Sequence, residues 1–164
     1  MKELRKIICL ILILNITSLA TYSQVQVDVK VFLDGPYDVS TGKMRDDLRA
    51  MGIVPVTEPY SSSPYNYPQI PSGSGGEMVD PFMLDSAGDF AIVDWVLLEL
   101  RDKTNPSNIV STKRALLRVD GKVVSNLDIW SPVLFSNVTA DDYYDSGTGK
   151  KIYFASDLHL GAPD

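Results

Sequence analysis

The sequence predicts an all-β protein, a β-sandwich of immunoglobulin-like or prealbumin-like type that follows an N-terminal signal-peptide helix. Three observations predict it. Val25, Val27, Val29, Val31 and Leu33 alternate with Gln26, Asp28, Lys30, Phe32 and Asp34, the period of a strand with one buried face. Residues 91–100, Ala-Ile-Val-Asp-Trp-Val-Leu-Leu-Glu-Leu, are apolar on both faces apart from Asp94 and Glu99, and their length and branching favour a central buried strand over a helix. Asp120-Gly121 stands between the apolar runs 115–119 and 122–124, a hairpin signal in which both turn residues are expected at positive φ.

Taken from the N-terminus, Lys2, Arg5 and Lys6 precede an apolar run at residues 7–14, and Ser18-Leu19-Ala20 supplies small residues at a cleavage position, with Ser23 a second candidate. That order is the order of a secretory signal peptide over 1–23. The run is about half the ~20 apolar residues that a membrane-spanning helix needs, so the cleaved chain is not expected to span a membrane. The expected location is exported, extracellular or at the cell surface.

Cleavage removes Cys9, the single cysteine, and leaves 12 Lys and Arg against 20 Asp and Glu, a net charge of −8. A chain without cysteine must be stabilised by its core. Such acidity argues against a nucleic-acid partner, which would meet a basic face. The single histidine, His159, excludes any site that needs two imidazoles.

After the first strand, Gly35-Pro36 is a stop. Residues 44–51 are the one short helix expected, closed by Gly52. Residues 53–56 fit a short edge strand, since Pro55 cannot donate to a ladder. Residues 58–80 hold Pro59, Pro64, Pro68 and Pro71 and the run Ser72-Gly73-Ser74-Gly75-Gly76. With no hydrophobic period they are expected to form a long surface loop. Further strands are expected at 133–138 and 143–144.

Several constellations suggest ligands. Tyr60, Tyr65 and Tyr67, with Trp95, could stack on a carbohydrate, or pack back on the sandwich. Asp80, Asp85, Asp89 and Asp94 offer oxygens to calcium, but their spacing is not that of the twelve-residue calcium loop. Asp85-Ser86-Ala87 is similar to a short O-glycosylation site of Bacteroidetes-type exported proteins. The glycine run lacks the Gly-Lys-Ser/Thr ending of a phosphate loop.

Two resemblances follow from longer strings. Val31-Phe32-Leu33-Asp34-Gly35-Pro36-Tyr37, Met44-Arg45-Asp46-Asp47-Leu48-Arg49, Thr57-Glu58-Pro59-Tyr60 and Ile92-Val93-Asp94-Trp95-Val96-Leu97-Leu98-Glu99-Leu100-Arg101-Asp102 stand in that order. Residues 27–144 therefore resemble a β-rich module of large secreted and cell-surface proteins of Bacteroidetes-type bacteria, often found near the sorting region of the type IX secretion pathway. The resemblance implies a non-enzymatic role in adhesion, architecture or interaction, with a surface protein or a glycan as partner.

Residues 151–164 change character: a short apolar strand, Ile152-Tyr153-Phe154-Ala155, runs into Ser156-Asp157-Leu158-His159-Leu160-Gly161. A carboxylate and an imidazole in the loop after a strand suit manganese, iron or zinc. This string resembles the first strand of calcineurin-like metallophosphoesterases of the UDP-2,3-diacylglucosamine hydrolase type, and the resemblance implies Asp157 and His159 as metal ligands. That family's later blocks, Gly-Asp-x-x-Asp, Gly-Asn-His and Gly-His-x-His, do not occur in these 164 residues. A two-metal hydrolase needs them. The expectation is therefore a chimera or truncated frame: signal peptide 1–23, module 24–144, then 145–164 as linker and truncated enzyme strand. It would be inactive as it stands, with no cofactor, and would take manganese only in a complete phosphoesterase. Ile152, Tyr153 and Phe154 are expected to fill the module's missing edge.

Overall fold

A computed structural model describes residues 24–102 and 104–138, together with the backbone of strands Tyr144–Asp145, Gly149–Lys150 and Ile152–Ala155. The signal peptide expected over 1–23 and the pair Asp157 and His159 lie outside the described residues.

The fold is all-β, with strands far outnumbering a few single-turn helices. Its centre is the antiparallel hairpin of β4 (Ile92–Arg101) and β5 (Ile109–Arg118), to which β6 (Val123–Val124) and β10 (Ile152–Ala155) add on either side in the order β10-β4-β5-β6. β10 lies antiparallel to β4, with Ile152 opposite Leu100 and Ala155 opposite Leu97. β8 (Tyr144–Asp145) and β9 (Gly149–Lys150) form a hairpin in the stretch read from sequence as a polar linker.

The first face of the central sheet is covered by β1 (Gln24–Val27) and β7 (Val133–Ser136), which pair antiparallel from Gln24↔Ser136 to Val27↔Val133. Val25 and Val27 of β1 meet Val133 and Phe135 of β7 and the inward side chains Val93, Val96, Leu98, Ala115 and Leu117. The predicted alternation continues past Val27, with Val29, Val31 and Leu33 packed on the same core. There the chain changes partner: Val31 N–H donates to Gly121 O at 2.8 Å and Val123 N–H to Val29 O at 3.1 Å, on the outer side of β6. One extended segment thus bonds to both layers.

The second face is covered by residues 54–84, which contain no extended strand. Tyr60 and Val79, at 0% and 2% exposed, pack with Val54 against Ile92, Trp95, Leu97, Leu116 and Val124. The stretch expected as a surface loop at 58–80 is irregular and largely exposed, and it anchors on the sheet through the buried Glu58, Tyr60 and Val79. Its burial comes from isolated side chains and polar anchors, which leave no period in the sequence. The edge strand expected at 53–56 does not form; Val79 N–H donates to Val56 O and Glu58 N–H to Glu77 O, both at 2.9 Å, around a single bridge between Thr57 and Met78.

Two local expectations also change. β2 (Tyr37–Asp38) and β3 (Lys43–Met44) form a small hairpin, and Met44 N–H donates to Val119 O at 3.0 Å. That bond draws the front of the expected 44–51 helix into extended backbone, leaving α1 as Asp47–Ala50, with Gly52 beyond it at φ 70°. At the β5–β6 turn Gly121 alone takes positive φ, 84°, while Asp120 does not. Gly121 N–H donates to Arg118 O and Arg118 N–H to Lys122 O, both at 2.9 Å. This is a tight turn followed by a glycine bulge, in place of the two-residue turn with two positive φ angles.

Candidate binding site

The tyrosines do come together. Tyr60 lies 6.2 Å from Tyr65 and 6.1 Å from Tyr67 between ring centroids, and Tyr65 and Tyr67 stack at 14° between planes. Tyr60 is enclosed, and its hydroxyl donates to Trp95 O at 2.8 Å. Tyr65 is half-buried, and Tyr67, at 37% exposed, is the outermost of the three. Trp95 takes no part in a platform: it is 1% exposed, and its indole N–H donates to Pro55 O at 2.7 Å.

The polar anchors beneath them were not foreseen. The Glu58 carboxylate accepts from Tyr60 N–H at 2.7 Å, Ser61 N–H at 3.1 Å and Gly76 N–H at 2.8 Å, and also from the Ser61 hydroxyl. Arg114 Nε of β5 stands 3.6 Å from the same carboxylate, both side chains at 0% exposure. Arg114 also donates to Thr112 Oγ1 at 3.0 Å and to Pro68 O at 3.3 Å. The backbone joins in: Thr112 N–H donates to Ile70 O at 2.9 Å and Ile70 N–H to Thr112 Oγ1 at 3.0 Å. A buried cation, a carboxylate and main-chain bonds thus hold the irregular layer to the sheet. These contacts make it a structural clamp.

The exposed chemistry lies elsewhere, around Trp130. α2 (Pro81–Leu84) begins at Asp80, whose carboxylate accepts from Phe82 N–H at 3.0 Å, with Pro81 in the first helical position, where its missing N–H costs nothing. The cap turns Phe82 outward, to 82% exposure. Opposite, the connection between β6 and β7 folds on itself. Asp128 accepts from Trp130 N–H at 2.9 Å and from the Ser131 hydroxyl at 2.8 Å, Ser125 N–H donates to Ser131 O at 3.0 Å, and Asn126 Nδ2 donates to Met78 O at 2.9 Å. The Trp130 N–H and then the Ser131 hydroxyl hold the Asp128 carboxyl below the usual carboxylate range, so it is an anionic acceptor at neutral pH.

This bonded turn carries Trp130 at 63% and Leu127 at 78% exposure. The Trp130 ring rests on Phe90, with centroids 4.3 Å apart. Under the pair lies Arg118, its guanidinium carbon 4.6 Å from the Phe90 centroid and 5.8 Å from that of Trp130. Arg118 is fixed by Asp120, at 3.1 and 2.6 Å, and by Ile129 O at 2.9 Å. The cation thus supports the rings from below while its charge is met by Asp120.

Between Phe82 and Trp130 is an open cleft of about 280 Å³, floored by Met83 and Ile129 and edged by Asp80, Ser86 and Asp128. A second cleft of about 280 Å³ shares Leu127 and Asp128 with it and is lined by Lys113, Ser125, Asn126 and Ser131. Among the described residues no group of three or more acidic, histidine or cysteine side chains, Asp80, Asp85, Asp89 and Asp94 included, could hold a metal. The signals for this site were present but local, namely the Asp-Pro-Phe start of a helix and a tryptophan inside Asn126-Leu127-Asp128-Ile129-Trp130-Ser131-Pro132.

No protein-family description, curated protein or solved structure matches the chain. Among the described residues no helix is long and apolar enough to cross a membrane.

Proposed function

We propose that this chain is an exported, non-enzymatic recognition module, built as a β-sandwich of the immunoglobulin-like or prealbumin-like type and acting in adhesion or interaction at a cell surface. The observation that carries the reading is the Phe82, Phe90, Leu127 and Trp130 surface: large apolar side chains held outward by capped and hydrogen-bonded turns. Exposed apolar groups clustered in this way mark contact sites, whereas scattered ones do not. The two layers that share the core of β1, β7 and the central sheet support the sandwich type. The charge order of residues 1–14 supports export.

Two measurements test this. Full-length chain with a C-terminal tag, expressed in a Gram-negative host, should be recovered outside the cytoplasm at a mass lacking 20–23 N-terminal residues. Recovery at full mass in the cytoplasm overturns export. Surface binding of the processed chain to intact bacterial cells should be lost in Trp130→Ala, and equal binding by the variant overturns the recognition role. Hydrolysis of bis-p-nitrophenyl phosphate with added manganese should be undetectable; turnover abolished by Asp157→Ala would favour the phosphoesterase reading instead.

A further inference from the structure

We infer that the cleft between Phe82 and Trp130 is a binding site for a neutral oligosaccharide, an assignment that rests on the recognition reading above. The inference comes from the mixture of groups in the cleft. A sugar ring has a face of C–H bonds that packs on an aromatic plane and a rim of hydroxyls that need acceptors and donors. Trp130 and Phe82 supply the aromatic surfaces, at 63% and 82% exposure. Asp80, Asp128 and Ser86 supply oxygens at the edge of the same cleft. Asp80 and Asp128 each spend lone pairs on one or two local donors, and a carboxylate has about four acceptor positions, so both retain capacity for hydroxyl hydrogens.

An apolar floor with a polar rim is also the anatomy of a protein contact, so attachment to cells that depends on Trp130 without any glycan binding is the outcome that would assign the cleft to a protein partner. Charge narrows the class of sugar in the first cleft. Its lining holds two carboxylates and no cation, and Arg118 beneath the rings is 4% exposed and paired with Asp120. A uronic or sulfated sugar would meet like charge there. The neighbouring cleft continues past Leu127 and Asp128 and is lined by Ser125, Asn126, Ser131 and Lys113, donors and acceptors that suit the hydroxyls of the next sugar of a chain. An oligosaccharide is therefore favoured over a monosaccharide. The hydrogen bonds within both flanking turns limit the ordering cost on binding.

The test titrates the processed chain with cellohexaose, laminarihexaose and mannohexaose, and with hexagalacturonate as the acidic probe, by calorimetry and by tryptophan fluorescence. Trp95 is enclosed, so a change in emission reports Trp130. At least one neutral hexasaccharide should bind with Kd of about 1 mM or tighter. Trp130→Ala should weaken it at least tenfold and Phe82→Ala severalfold, while both variants keep the wild-type circular dichroism. Phe82 is the control against misfolding, being almost wholly exposed. No neutral binding, binding unchanged in both variants, or equal binding of hexagalacturonate each overturns the glycan assignment. Loss of glycan binding alongside retained, Trp130-dependent attachment to cells would overturn this inference and leave the recognition role standing.

Discussion

The two faces of the β4–β5 hairpin are covered in different ways. On one, β1 and β7 lay Val25, Val27, Val133 and Phe135 onto the sheet with few polar atoms involved. On the other, an irregular segment is held by the Glu58 carboxylate, Arg114, the Tyr60 hydroxyl and the Trp95 indole. The first cover is regular backbone whose two-stranded ladder pairs the amides that β1 and β7 turn towards each other. The second has no ladder, so its buried N–H groups must find side-chain acceptors. Glu58 supplies three such acceptor contacts, to Tyr60, Ser61 and Gly76. An irregular layer can bury as well as a strand pair, but it depends on a few charged residues that the strand pair does without.

The sharpest way to break the comparison is Arg114→Met. It leaves the enclosed Glu58 carboxylate without its cation, and removing one partner of a buried pair costs about 3 kcal/mol or more. Amide exchange should show where. Ile70, Gly76 and Val79, whose N–H groups bond to Thr112, Glu58 and Val56, should lose protection first, while Val25 and Phe135 keep theirs. Val27→Ala, on the opposite face, should cost about 2 kcal/mol with uniform loss, because it removes methyl groups from a core without a polar anchor. Equal patterns of exchange in the two variants would show that the faces are not distinct.

This difference also explains how much was legible in the sequence. β1, β4, β7 and the end of β5 from Ala115 could be read because packing on a sheet imposes a period on Val25, Val27, Val133 and Phe135 and continuity on 91–100, whereas Ile109 to Arg114 carried no such signal. The cover at 54–84 could not, because its buried residues, Val54, Glu58, Tyr60 and Val79, are set by chain reversals and carry no period. The tyrosines were found as a group, yet the one nearest the sheet is consumed by the core. Trp130 and Phe82 were passed over because exposure is decided by turns such as the Asp80 cap and the Asp128 bonds, which a single sequence does not distinguish from any polar loop. Asp157 and His159 were legible only as a resemblance and lie outside the described residues.

A smaller perturbation sharpens the role of the polar anchors. Tyr60→Phe keeps the ring and its contacts with Tyr65 and Tyr67 and removes the hydroxyl with its bond to Trp95 O. The cost expected in denaturant unfolding is about 1 kcal/mol, the net worth of a single hydrogen bond. A value near zero would mean that packing, rather than the polar anchors, holds this layer, and the contrast between the faces would narrow accordingly.

The smallest effect belongs to the end of the hairpin, which lies beyond both covers. Asp102 accepts from the Thr104 hydroxyl and N–H, both at 2.7 Å, and from Asn105 N–H at 3.0 Å. These bonds, the Thr104 hydroxyl foremost, lower its carboxyl from 3.8 to about 2. Folding therefore favours the ionised form. The unfolded chain binds the proton more readily in this interval, so the contribution is fully present above about pH 4 and is lost as pH falls towards 2. Thermal unfolding should show the loss over that window, and Asp102→Asn, which keeps an acceptor but cannot titrate, should show a shallower decline than wild type. Protonation of the other carboxylates acts on both proteins alike, so the difference between the two curves isolates Asp102. Parallel curves from about pH 5 to 2 would mean that the turn at 102–108 stays closed without the charge, and that the β4–β5 hairpin owes its register to the ladder between its two faces alone.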